Sequence, residues 1–222
     1  MYPIKYEADY ERNPSRVTTF FRGILVIPWA IVGLIYAIAG FFTLIGAWIV
    51  VVILGRYPDG LYNFNSGLLR YFIRIGAYAS YQTDRWPPFG LSPDPTYPVR
   101  IDVGPRPERH SRLKALGRYP FYILLVPILT LVYFGMAAIH WGAAAAAWLT
   151  IVFRGYLPAG AQNALMFTNG WYARAGGYVL LLTDTYPPVG AEAVQVGDVR
   201  ASAPAPPTTP EPPGAGVEAP AA

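Results

Sequence analysis

"GRYPDGLYNFNSGLLRYFIRIGAYASYQTDRWPPF", residues 55–89, decides the architecture, because "GYLPAGAQNALMFTNGWYARAGGYVLLLTDTYPPV", residues 155–189, says much of it again. Set one above the other without a gap, eleven of 35 positions are identical: Gly55, Pro58, Gly60, Asn63, Arg74, Gly76, Tyr78, Thr83, Asp84, Pro87 and Pro88, each answered 100 residues later. The correspondence continues upstream. "YPIKYEADY" at 2–10 answers "YPVRIDVGP" at 97–105, Ser15-Arg16 answers Ser111-Arg112, and Pro28 answers Pro127. Self-similarity at a fixed period is the mark of a repeated structural unit. The chain therefore reads as a first repeat over 1–95, a second over 96–190, and an Ala/Pro-rich tail over 191–222 whose composition predicts disorder.

The solvent of these units follows from composition. Of 222 residues, 54% are apolar and 14% charged, where soluble domains carry about 25% charged. Positions 23–55 and 119–153, that is 33 and 35 residues, hold no Lys, Arg, Asp or Glu. Each exceeds the run of about 18 apolar residues that flags a membrane helix. A cleavable signal peptide is not expected, since Glu7, Asp9 and Glu11 precede the first apolar run. With no cysteine, thiolate metal sites, iron-sulfur clusters and a cysteine nucleophile are excluded. A net charge of +4, with Arg outnumbering Lys fifteen to two, fits anionic head groups better than nucleic acid.

Each unit has four sections. Ile4, Tyr6, Ala8 and Tyr10 alternate with charged residues, as Val99, Ile101 and Val103 do; this period of two predicts one short strand per unit, and the two strands are expected to pair. The uncharged block follows. At about 1.5 Å per residue it would reach about 50 Å as one helix, beyond a hydrocarbon core of about 30 Å. A hairpin of two short helices is therefore expected, turning near Gly40–Gly46 and again near 140–142, where His140 and Trp141 would lie at an outer turn. Charge agrees with that choice. A single crossing per unit would set the ten Lys or Arg of 56–118 opposite the four that precede them, against the positive-inside rule. The expectation is a mainly α, multi-pass protein of the plasma membrane with both termini cytoplasmic.

The third section, 61–82, reads as an amphipathic helix in the head-group layer, with Asn63, Arg70 and Arg74 on its polar stripe. The fourth, Thr-Asp-x-aromatic-Pro-Pro, ends that helix, since Pro cannot continue it.

Candidate residues are few. Asp84 and Asp184 would suit proton or ion coupling if brought together, yet Asp shortly before Pro at a helix end is a common turn former. The turn reading is preferred, and Thr83 and Thr183 share it. Arg74 and Arg174 are candidates for a lipid phosphate or for pairing with the Asp ten residues on; Arg70, replaced by Gly170 in the second copy, has the lipid option alone. Asn63 and Asn163 are read as helix N-caps. Pro28 and Pro127 are read as bends. No cofactor is implied and His140 alone makes no metal site.

The stretch 55–89, with its "GRYP" exit, "FN.G.LR" helix start and "Y...TDR.PPF" end, resembles an uncharacterised bacterial membrane family catalogued as a domain of unknown function, whose members often carry the unit twice. The second copy departs at "RGYLPAGAQNALMF", 154–167. The resemblance implies no activity. With no nucleotide loop, triad, zinc spacing or HExxH in the chain, an enzyme is not expected. The expected role is a scaffold or accessory subunit at the cytoplasmic leaflet, in contact with lipid and with a membrane protein partner or further copies of itself; a small transporter or channel and an anionic-lipid-binding protein are the alternatives.

Overall fold

The computed structural model describes residues 2–188. In chain order these form β1 (Lys5–Ala8), α1 (Arg16–Leu25), α2 (Ile27–Leu54), α3 (Asp59–Ala79), β2 (Val99–Asp102), α4 (Arg112–Arg154) and α5 (Ala159–Val179). The tail expected to be disordered, 191–222, lies outside the described residues.

The two alternating segments pair antiparallel, Lys5 with Asp102 and Ala8 with Val99. Their apolar side chains are buried. Their outer face carries exposed Lys5, Glu7, Asp9 and Asp102, with Arg100 reaching Asp9 at 2.7 Å and Glu7 at 3.6 Å.

The expected helical hairpins do not form. Residues 16–54 run as one helical path broken only at Val26, and 112–154 are a single helix of 43 residues. Both are long and apolar enough, by length and composition, to cross a membrane. A turn inside hydrocarbon would strand backbone N–H and C=O groups that a continuous helix satisfies internally. The glycines read as turn signals serve packing or nothing: Leu68 Cδ1 lies 2.7 Å from where a Cβ on Gly40 would be, while Gly46 and Gly142 face open space. His140 is likewise no turn residue; it is buried within α4, its Nδ1 3.0 Å from Thr168 Oγ1. Pro28 stands at the start of α2, where it needs no N–H partner, and Pro127 is carried inside α4.

Local chemistry sets the element ends. Ser15 and Ser111 Oγ cap α1 and α4 by accepting from Thr18 and Lys114 N–H. Gly55 and Gly155 end α2 and α4 in the left-handed region, φ +66° and +79°, which glycine adopts without a Cβ penalty. Helices α3 and α5 each finish in a Schellman turn: Gln82 N–H donates to Ala77 and Leu182 N–H to Gly177. The left-handed position is held there by Tyr81 and Leu181, φ +69° and +62°, a strained choice for residues with side chains.

Three layers result. Helix α3 presents Leu68 and Tyr71 to Gly40 and Gly33 of α2, and Arg70, 200° round from Leu68 at 100° per residue, to the Ile101 carbonyl of β2. Helix α5 does the same, with Thr168 toward α4 and Gly170 and Gly177 under Tyr6 and Ile4. The strand pair therefore covers one side of α3 and α5, and the long helices cover the other. Between α3 and α5, antiparallel neighbours, Leu69 meets Gly176 and Gly76 meets Asn169. The largest apolar cluster takes residues from both halves, among them Tyr6, Leu69, Ile73, Ile101, Ala173 and Leu182. The long helices are antiparallel too: Phe20 stacks on Trp148 at one end, and Trp48 donates to the Ala115 carbonyl at the other.

Candidate functional site

The Thr-Asp turns are built around arginines that the sequence offered only as the edges of the uncharged blocks. Arg22 of α1 is buried, 1% exposed, and pairs with Asp84. Its Nη1 donates to the carbonyls of Tyr78 (3.0 Å) and Thr83 (2.9 Å), and its guanidinium lies 4.6 Å from the Tyr78 ring centre. Asp84 also accepts from Ser15 N–H and donates its own N–H to Glu11 at 3.0 Å. Arg118 of α4 repeats the pattern: Nη2 lies 3.2 Å from Asp184, the Tyr178 and Thr183 carbonyls accept at 2.7 and 3.0 Å, and the Tyr178 ring is 4.0 Å away. Asp184 further accepts from Ser111 N–H at 2.8 Å and lies 3.2 Å from His110 Nδ1. Partial burial alone would raise the Asp184 carboxyl. The hydrogen bonds from His110 and Ser111, with the nearby positive charge, hold it below the usual carboxylate range instead.

This geometry corrects the pairing expected for the Asp residues. Arg74 is buried among protein groups, donating to the Ser92 carbonyl at 3.1 Å and facing the Tyr97 ring at 5.8 Å. Arg174 is buried as well, and its Nε and Nη2 meet no hydrogen-bond partner among the described residues. Arg70, half-buried, donates to Ile101. Because α3 lies between β2 and α2, Arg70 and Arg74 of its polar stripe meet protein groups. Thr83 and Thr183 are buried, and each Oγ accepts the N–H two residues on, at 3.1 Å, so the side chains hold the turn. Asp84 and Asp184 are held by separate partners at separate turns.

Asn63 and Asn163 do not cap α3 and α5; those caps are Pro58 and Pro158. Asn63 is exposed four residues inside the helix and Asn163 is half-buried. The buried amides are others. Gln82 Oε1 accepts from Tyr6 OH at 2.6 Å and from Asn169 Nδ2 at 2.5 Å, and its Nε2 points to Gln162 Oε1 at 3.4 Å. Burial pushes the Tyr6 phenol far up, so it stays protonated and can donate. A second pair joins Asn65 Nδ2 to Tyr57 OH at 2.7 Å and Thr43 Oγ1 to Asn65 Oδ1 at 2.8 Å.

Two recesses open at one end of the helical layer. One, about 570 Å³, is lined by Leu54, Gly55, Arg56, Arg109, His110 and Arg112. No carboxylate among the described residues is within ion-pair distance of those three arginines. The other, about 410 Å³, is apolar and includes Leu113, Phe121, Leu125 and Leu129, with Lys114 and Arg118 also on its lining. Among the described residues no group of three or more His, Cys, Asp or Glu is placed to hold a metal ion.

Compared with known proteins, residues 16–90 match the model of a family described as a domain of unknown function (DUF4389). The match takes in 75 of 222 residues, namely α1, α2, α3 and the first Thr-Asp turn. No curated protein and no solved structure matches the chain.

Proposed function

We propose that the protein is a non-catalytic membrane protein, a scaffold or accessory subunit at the cytoplasmic leaflet, made of two copies of one unit and with both termini cytoplasmic. The observation that carries this reading is the fate of the buried charges. Arg22, Asp84, Arg118 and Asp184 are consumed in closing helix ends onto each other, and the buried amides bond among themselves. Such groups position backbone, and His110, the imidazole on the lining of the basic recess, is itself tied to the Asp184 carboxylate. The recurring Ser cap, buried Arg, left-handed Gly and Thr-Asp turn in 15–84 and 111–184 support the duplication.

The test is recovery in mild detergent at native expression. A reproducible membrane protein partner is expected; recovery of the chain alone counts against a scaffold role.

A second reading, binding of anionic lipid, draws on the recess where Leu54 adjoins Arg56, Arg109 and Arg112, since Arg suits phosphate. Transport remains the third, and its best residues are removed in an Asp84→Asn, Asp184→Asn double variant; unchanged flux in that variant ends it.

A further inference from the structure

The long helices do not have the proportions of spans. Exposed apolar side chains run from Val17 to Leu54 and from Leu113 to Phe153, about 56 and 60 Å of helix at 1.5 Å per residue. Fitting about 56 Å into a hydrocarbon core of about 30 Å demands a tilt near 57°, beyond the roughly 0–40° that membrane helices show. Standing the helices upright also fails on the other side of the molecule. The strand pair lies across the middle of the helical layer: β2 rests on Arg70, next to the Leu68 that packs on Gly40, and β1 rests on Gly170, next to the Thr168 that meets His140. Whichever slice of an upright molecule entered the hydrocarbon, either Lys5, Glu7, Asp9 and Asp102 would be inside it or about half of the apolar helical surface would be in water. Charged side chains facing hydrocarbon at the bilayer centre are costly and rare.

We infer that the protein is monotopic: α1–α2 and α4 lie in the membrane plane within one leaflet, and the strand pair faces water. This rests on the membrane reading above and replaces its multi-pass topology. A helix of about 10–12 Å diameter fits within a leaflet of about 15 Å of hydrocarbon, half the core. The layering supplies the orientation, because the charged strand face and the apolar helices are on opposite sides of α3 and α5. The ends supply the charge. Arg16 lies against Gly155 with Arg154 alongside, and Arg112 lies against Gly55 with Arg56 alongside, so basic groups stand at both ends of the helical layer, where long Arg side chains reach up to lipid phosphates. In this arrangement every Lys and Arg of the described residues is on one side of the bilayer, which satisfies the positive-inside rule without hairpins.

The chain has no cysteine, so single thiols report cleanly. Val17→Cys, Ile35→Cys and Ile53→Cys, all at exposed positions of one helical path, and Glu7→Cys on the strand are spin-labelled in the full chain in vesicles of mixed zwitterionic and anionic phospholipid. Collision with oxygen and with a water-soluble nickel complex gives depth. The expected result is one shared depth within a single leaflet for 17, 35 and 53, and reaction of Glu7→Cys with an impermeant maleimide from one side only. Positions 17 and 53 on opposite sides, with 35 at the centre, would overturn the inference in favour of spanning helices. Residue 7 reached from both sides would overturn it in favour of copies enclosing a pore, and water at all three helix positions in favour of a protein cover. Alkaline carbonate separates this from the broader reading: release from membranes sinks both, whereas retention with labels on opposite sides sinks the in-plane orientation alone.

Discussion

Arg22 and Asp84 stand 62 positions apart and form an ion pair, the arginine buried and the carboxylate part-buried, that ties the last turn of α1 to the turn after α3. The pair carries more than its own attraction, because the same guanidinium satisfies the Tyr78 and Thr83 carbonyls.

Removing the arginine therefore leaves a part-buried carboxylate and two unpaired carbonyls. Arg22→Ala is expected to cost about 3 kcal/mol, the lower end for a broken buried pair because Asp84 keeps contact with solvent, read as a lowered thermal midpoint in detergent or lipid. A paired Arg22→Met, Asp84→Asn variant is expected to lose less than Arg22→Ala alone, since it leaves no unpaired charge. Equal losses would contradict the coupling.

Acid acts at the second turn. The folded-state carboxyl of Asp184 is depressed below its ordinary value of 3.8, so the folded chain prefers the ionised form. That stabilisation is present above the unfolded value and is lost as pH falls through the lower folded one. The thermal midpoint is expected to fall more steeply below about pH 4 in the parent than in Asp184→Asn, which starts lower and flatter.

Glycine positions discriminate packing from propensity. Gly67→Ala sets a methyl 2.6 Å from Leu91 Cβ and 2.9 Å from its carbonyl oxygen, a backbone neighbour that cannot swing aside. A loss of about 1–3 kcal/mol is expected. Gly60→Ala, in open space within the first turn of α3, is expected to be neutral or to gain up to about 1 kcal/mol. Chemical or thermal unfolding of the two side by side gives the comparison.

The amide cluster makes a sharper demand. Gln82→Leu removes the acceptor used by Tyr6 and Asn169, and a buried unmet donor costs about 1–3 kcal/mol. Tyr6→Phe, which removes a donor and leaves Gln82 bonded to Asn169, is expected to cost less. Their thermal midpoints set the order.

At the recess, each of Arg56→Ala, Arg109→Ala and Arg112→Ala is expected to weaken association with anionic vesicles about fivefold, from about 1 kcal/mol per basic residue near a charged surface. Sedimentation with vesicles of rising anionic content measures it. Zwitterionic vesicles are expected to show no difference.

What was legible in the sequence was local alternation and its recurrence. The alternation of Ile4, Tyr6 and Ala8 with charged residues announced a strand, and the pairing with Val99–Asp102 followed from a matching alternation. The arginine locks were illegible for a physical reason: Arg22 meets Asp84 only after two helices have folded back. A signal existed, because Arg22 follows Ser15, and Arg118 follows Ser111, by seven residues, two helical turns that keep cap and guanidinium on one face. The hairpins were misjudged because a span length assumes a helix along the membrane normal. Asn63 falls inside the helix and not at its cap because α3 begins at Asp59, before the start at 61 that the amphipathic pattern indicates, while Asn65, whose counterpart is Leu165, is the buried one.

The strand pair imposes an order of events on synthesis. Lys5–Ala8 leave the ribosome before the other described elements, yet their partner strand is residues 99–102 and the surface beneath them belongs to α5, Ala159–Val179. At about 5–20 residues per second, the first strand waits on the order of ten seconds or more for the helix it covers. Until residues 99–102 have emerged its edge is unpaired while the finished apolar path of α1–α2 is already exposed, so for a chain that lies in one leaflet, as inferred above, delivery to lipid before the second unit is made would cover that path.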